Sequence, residues 1–77
     1  MKKILFRTDS SDLIGTGHVM RSLVLANKFK NDKITFAVQN LQGNINYKVI
    51  NAGYNTEILK SNDIDSLIIL IKKYKFD

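Results

Sequence analysis

Apolar positions fall in short blocks along the chain, and their period changes from block to block. Residues 2–8 (KKILFRT) hold a run suited to a buried strand, and residues 34–38 (ITFAV) form a second run rich in β-branched and aromatic side chains. Residues 54–59 read as a third strand. Between the first two, Val19, Met20, Leu23, Val24, Ala26 and Phe29 spread a broad apolar face over a helix at 18–30 that packs on a sheet, and Asn31 and Asp32 break it. Residues 43–52 include a short helix with Ile45, Val49 and Ile50 on one side, and Gly53 stands where a left-handed C-terminal cap falls. The strongest helical pattern is the last one, with Ile64, Leu67, Ile68 and Ile71 at i, i+3, i+4 and i+7. Ser61 or Asn62 is placed to cap that helix. Asp63 and Asp65 open it and Lys72, Lys73 and Lys75 close it, as the helix dipole favours.

Strand and helix alternate throughout, which predicts an α/β chain: a Rossmann-like parallel sheet with helices on both faces, in the order β-α-β-α-β-α. Lys75, Phe76 and Asp77 stand where a fourth strand begins. Three strands and their helices leave much of a parallel sheet uncovered. Residues 1–77 are therefore expected to form the N-terminal part of a larger domain.

Composition narrows the class. The 77 residues are 44% hydrophobic and 25% charged with no long apolar run, which argues against both a disordered tail and a membrane span. With no cysteine there are no disulfides, thiolate metal sites or thiol nucleophiles. The opening MKKILFRTDS has too short an apolar stretch for a signal peptide and is interrupted by Arg7, so a cytoplasmic protein is expected. Twelve Lys and Arg against seven Asp and Glu give a formal charge of +5, compatible with an anionic partner. The lysines gather at helix ends, Lys28, Lys30 and Lys33 in one group and Lys72, Lys73 and Lys75 in another, and read as solvated faces. No aromatic RNA-binding pattern, zinc finger or basic heptad region supports nucleic acid as a partner.

The densest chemistry lies in Arg7 to Arg21, RTDSSDLIGTGHVMR, where the first strand ends and the first helix begins. Open α/β sheets bind ligands at this position. Gly15, Thr16 and Gly17 lead into the helix. The two glycines permit close backbone approach, and the unpaired N–H groups of the first turn suit a phosphate or an oxygen-rich sugar. A dinucleotide fingerprint is disfavoured, because Met20 occupies its third glycine position and the second strand ends near Gln39 where an acid is needed. A P-loop is disfavoured with more force, since no lysine follows either glycine.

His18, the one histidine, follows Gly17 at the helix start, where the dipole disfavours the imidazolium and a neutral ring can act as a base. Contributing to the helix start is the plainer role. A lone histidine is poor material for a metal site, so no metal or other cofactor is expected. Asp9 and Asp12 hold substrate hydroxyls, orient His18, or simply form the turn, the commonest role of Asp and Ser after a strand. Arg7 and Arg21 either hold an anion or pair with those aspartates. Tyr47, Tyr54 and Tyr74 read as packing residues with wet hydroxyls.

The segment LFRTDSSDLIGTGHVMRSLVLA, with Phe6, Arg7, Asp9, Ser10, Ser11, Ile14, Gly15, Gly17, His18 and Arg21, closely resembles the opening of the UDP-sugar hydrolases of pseudaminic acid biosynthesis. More distantly, the glycine and histidine loop is similar to that of the peptidoglycan N-acetylglucosaminyltransferase, which shares the two-domain glycosyltransferase-B fold. The resemblance implies a sugar-facing N-terminal domain, with UDP held mainly by a C-terminal domain that is absent from these residues and is the expected intramolecular partner. It implies cleavage of the bond between the anomeric carbon and the UDP oxygen, with water as acceptor, inversion, no required metal and a UDP-linked amino sugar as substrate. His18 matches the histidine that activates the water, and Arg7, Asp9, Gly15, Thr16, Gly17 and Arg21 are the expected substrate contacts. On this reading the 77 residues alone are inactive; a transferase using a sugar or lipid acceptor is the alternative, and a non-catalytic anion- or partner-binding module is the second.

Overall fold

The computed structural model describes residues 1–29 and 31–76. Lys30, the expected end of the first helix, and Asp77, part of the expected fourth strand, lie outside the described residues. The chain runs β1 (Lys3–Arg7), α1 (Gly17–Ala26), a 3-10 turn (Asn27–Phe29), β2 (Lys33–Gln39), α2 (Asn46–Asn51), β3 (Asn55–Leu59) and α3 (Ile64–Tyr74). The strands form one sheet in the order β1-β2-β3, with both pairs parallel; Phe6 lies beside Phe36 and Val38 beside Ile58. The expected α/β architecture is present.

Two crossovers stepping the same way across a parallel sheet put their helices on one face, because each is right-handed. The core shows it. Val19 and Ala26 of α1 and Val49 of α2 are buried together against Ile34, Phe36 and Val38, which alternate along one face of β2. Phe6 stacks on Phe36 at 5.2 Å between ring centroids, and Tyr54 meets Phe36 from the other side at 5.3 Å. The opposite face carries Thr35 and Ala37, both buried, and Glu57 beside Ala37 in register. Helix α3 covers this face: Leu70 is buried, the Tyr74 hydroxyl donates to Glu57 Oε1 at 2.6 Å, and Lys73 Nζ lies 3.6 Å from the same oxygen.

Several expectations are corrected. Helix α1 ends at Ala26, before Asn31 and Asp32, because the chain tightens into a 3-10 turn at Asn27. Its buried face is narrow, consisting of Val19, Leu23 and Ala26; Met20, Val24 and Phe29 are exposed. In α2, Val49 is buried but Ile50 points out. Tyr47 is exposed as well, whereas Tyr54 and Tyr74 pack.

The largest difference is in α3. Ile64 is 70% exposed and Ile68 and Ile71 are 40% exposed; of the four predicted positions Leu67 is half-buried, and Leu70 and Tyr74 complete the covered side of the helix. The cap of α3 is Asp63, which accepts from the Ser66 N–H at 2.7 Å and from the Ser61 hydroxyl; neither Ser61 nor Asn62 caps the helix directly. Lys72 and Lys73 lie in its last turn, and Lys75 caps it in the left-handed conformation with φ 53°, so Lys75 does not begin a strand. Phe76 meets the Tyr74 ring.

Candidate functional site

The carboxyl end of β1 delivers Arg7, Thr8 and Asp9 to the edge where the loops converge. The Asp9 carboxylate has little freedom there. Its Oδ1 accepts the Gln39 backbone N–H at 2.8 Å, its Oδ2 accepts Gln39 Nε2 at 2.9 Å, and Arg7 Nη1 lies 2.8 Å from Oδ1. Partial burial pushes the Asp9 carboxyl up, but the hydrogen bonds from Arg7 and Gln39 and the attraction of the guanidinium outweigh it and hold the group below the usual carboxylate range. Arg7 is engaged as fully. Nη1 also donates to the Thr8 and Ala37 carbonyls at 3.2 and 3.4 Å, and Nη2 donates to Asn62 Oδ1 at 2.7 Å. Arg7 pairs with Asp9, and together they join the ends of β1 and β2 to the loop after β3.

The following loop is fastened to the loop after β2. Buried Ser10 accepts the Ile45 N–H at 2.8 Å, and Asp12 N–H donates to the Gln42 carbonyl at 2.9 Å. Ser11 Oγ accepts from the amides of Leu13 and Ile14, while Ser11 and Gly15 exchange backbone hydrogen bonds of 3.2 and 2.9 Å. That closure requires φ +78° at Gly15, a conformation glycine adopts without strain. The turn-forming reading of this Asp and Ser cluster thus describes it well. The Asp12 side chain lies against Gly43 and does not line the cleft that holds His18.

Thr16 occupies the N-cap of α1; its side chain makes no capping hydrogen bond, and no acid occupies the first turn. The positive end of the α1 dipole therefore meets no protein carboxylate in that turn. His18 and Arg21 stand one turn apart on the same side, with Arg21 Nη2 3.5 Å from His18 Nδ1. Which nitrogen of the ring accepts in this long contact depends on the tautomer. Gly17 sits beside the same arginine: a Cβ there would fall 3.5 Å from Arg21 Nη1. Among the described residues no carboxylate lies within salt-bridge distance of Arg21, which leaves it available to an anion.

A cleft of about 470 Å³ joins these parts. Of the residues singled out in the sequence, Arg7, Asp9, His18 and Arg21 line it; Gly15, Thr16 and Gly17 shape the backbone beside it but are not among its walls. Thr8, Ile14, Ser22 and Asn62 line it as well, and the sequence reading gave none of them a site role. Ser22 was discoverable, since it follows His18 by one helical turn. Asn62 was too, because it follows β3 at the sheet edge where Thr8 follows β1. The Thr8 hydroxyl is buried behind the cleft wall and has no hydrogen-bond partner among the described residues. Two guanidinium groups, one of them paired with the Asp9 carboxylate, an imidazole, the Ser22 hydroxyl and the Asn62 amide around one open cleft suit a polar ligand with an anionic part facing Arg21.

Among the described residues no group of three His, Asp or Glu side chains gathers to hold a metal, and no helix is long and apolar enough to cross a membrane. No family model matches the chain. Over 75 residues, 97% of the chain, it is 41% identical to the UDP-2,4-diacetamido-2,4,6-trideoxy-beta-L-altropyranose hydrolase of Campylobacter jejuni. That bears out the resemblance read from the first loop. The chain spans 26% of the length of that relative.

Proposed function

We propose that these residues are the sugar-facing N-terminal part of a cytoplasmic UDP-sugar hydrolase acting in pseudaminic acid biosynthesis, with UDP held mainly by a second, C-terminal domain. The substrate is a UDP-linked diacetamido-trideoxy-hexose. His18 takes a proton from water as the water oxygen bonds to the anomeric carbon. The bond from that carbon to the UDP oxygen breaks, its electron pair leaves with UDP, and the anomeric centre inverts. Arg21 and the open first turn of α1 face the developing negative charge. Arg7, held by Asp9, shapes the cleft wall.

The observation that carries this reading is His18 in the first turn of α1, sharing one cleft with the uncommitted Arg21 at the carboxyl end of a parallel sheet. The test is release of UDP and free sugar by the full natural protein, without added acceptor, from the diacetamido nucleotide sugar. His18→Ala is expected to abolish release while the protein unfolds at the same urea concentration. Turnover that requires a sugar or lipid hydroxyl would replace the hydrolase with a transferase of the same fold, and normal turnover by His18→Ala would remove the histidine from the reaction.

A further inference from the structure

Asn62 enters the cleft from the loop between β3 and α3, and one of its two polar atoms is already assigned. Arg7 Nη2 lies 2.7 Å from Asn62 Oδ1, and because a guanidinium has no acceptor, the oxygen of the amide must be the atom that faces it. Arg7 is itself fixed by Asp9, and Asp9 by both N–H groups of Gln39. The chain Gln39–Asp9–Arg7–Asn62 thus sets the orientation of the Asn62 amide. Its Nδ2 group has no hydrogen-bond partner among the described residues and belongs to an exposed side chain lining the cleft. Ile14, half of whose surface is exposed, lines the same cleft.

We infer that Asn62 is a substrate-contacting specificity residue whose Nδ2 donates to the carbonyl oxygen of an N-acyl group on the sugar, with Ile14 offering apolar surface to the acyl methyl. A fixed N–H donor in one cleft with an exposed apolar side chain fits an acetamido group better than a hydroxyl, which has no methyl to place. The inference rests on the sugar-hydrolase reading for its ligand, but its evidence is the hydrogen-bond chain.

The test uses binding, so that it stands apart from turnover. In the full natural protein carrying His18→Ala, calorimetry compares the UDP-diacetamido sugar with the UDP-sugar that has hydroxyls in place of the acetamido groups. The expected result is a preference for the acetamido ligand that falls by about tenfold, the worth of one hydrogen bond to a well-placed acceptor, on adding Asn62→Asp. Asn62→Asp keeps an oxygen for Arg7 and removes both N–H donors. A preference unchanged by Asn62→Asp, or no preference before that change, overturns the inference. Failure of the protein with His18 intact to release UDP overturns the hydrolase reading instead, and the binding ratio still decides the role of Asn62.

Discussion

The carboxylate of Asp9 takes both N–H groups of Gln39, backbone and side chain, at 2.8 and 2.9 Å across 30 residues of sequence. This joint locks the carboxyl ends of β1 and β2 together and leaves Arg7 a fixed counter-ion. Its side chains are largely shielded, 21% exposed for Arg7 and 15% for Asp9, so it differs from the solvated pairs that contribute little. Asp9→Asn keeps the shape but loses the charge and one of the acceptors. It is expected to lower the unfolding free energy by about 1.5–3 kcal/mol, the range for a hydrogen bond to a charged partner, measured by urea denaturation of the full protein.

The same joint predicts a pH dependence. The folded carboxyl of Asp9 is held below its ordinary value. In the unfolded chain it titrates near 3.9, so its contribution is complete above about pH 4 to 5 and is lost as the pH falls through the lower folded value, where the unfolded state binds the extra proton first. Asp63, lowered by the Ser61 hydroxyl and the Ser66 N–H, acts in the same direction. Urea midpoints measured from pH 6 to pH 2.5 should be flat from this group at the upper end and fall at the lower, with a shallower acid slope in Asp9→Asn. An equal slope in both proteins removes Asp9 from the acid response.

Two glycines with nearly the same backbone conformation are expected to tolerate alanine differently. Gly15 has φ +78° and open space where a Cβ would stand, so Gly15→Ala carries only the left-handed penalty of about 1–2 kcal/mol. Gly43 has φ +79°, but its Cβ would fall 2.8 Å from the backbone nitrogen of Asp12, which is held by the Gln42 carbonyl. Relief there requires moving the loop that leads to His18. Gly43→Ala should therefore be the more destabilising of the two, and paired unfolding curves decide it.

The strand and helix order, and the cleft side of the first loop, were legible because burial periodicity and turn chemistry act locally. Residues 34–38 announce a strand buried on both faces, and Gly15 and Gly17 mark a loop that must turn tightly. What stayed hidden depends on partners distant in sequence. Asn62 reads as a helix cap until Arg7, 55 residues away, is seen to hold its oxygen. Gln39 served in the sequence only to argue against a dinucleotide site, yet it is the anchor of Asp9. In α3 the pattern was right only in part: of the four predicted positions Leu67 is half-buried while Ile64, Ile68 and Ile71 are exposed, and Leu70, outside the pattern, is the buried residue. With apolar residues at six of the eight positions from Ile64 to Ile71, the helix does not declare its buried side by spacing alone.

The two arginines of the cleft separate structure from ligand binding. Arg7 has carbonyl, carboxylate and amide partners, so Arg7→Ala strands Asp9 in a partly buried position with one counter-charge fewer and should destabilise the fold by about 1–3 kcal/mol. Arg21 is exposed and touches only the edge of His18, with no carboxylate in reach among the described residues. Arg21→Ala is expected to leave stability within about 0.5 kcal/mol of the parent, as for surface changes away from structural features. Its effect should fall on the ligand: loss of one charge-assisted contact to a phosphoryl group weakens binding by about 10- to 100-fold. Calorimetry with the UDP-sugar and urea denaturation on the same two variants read both quantities. If Arg21→Ala unfolds early and binds normally, the arginine is structural and the anion is held elsewhere in the cleft.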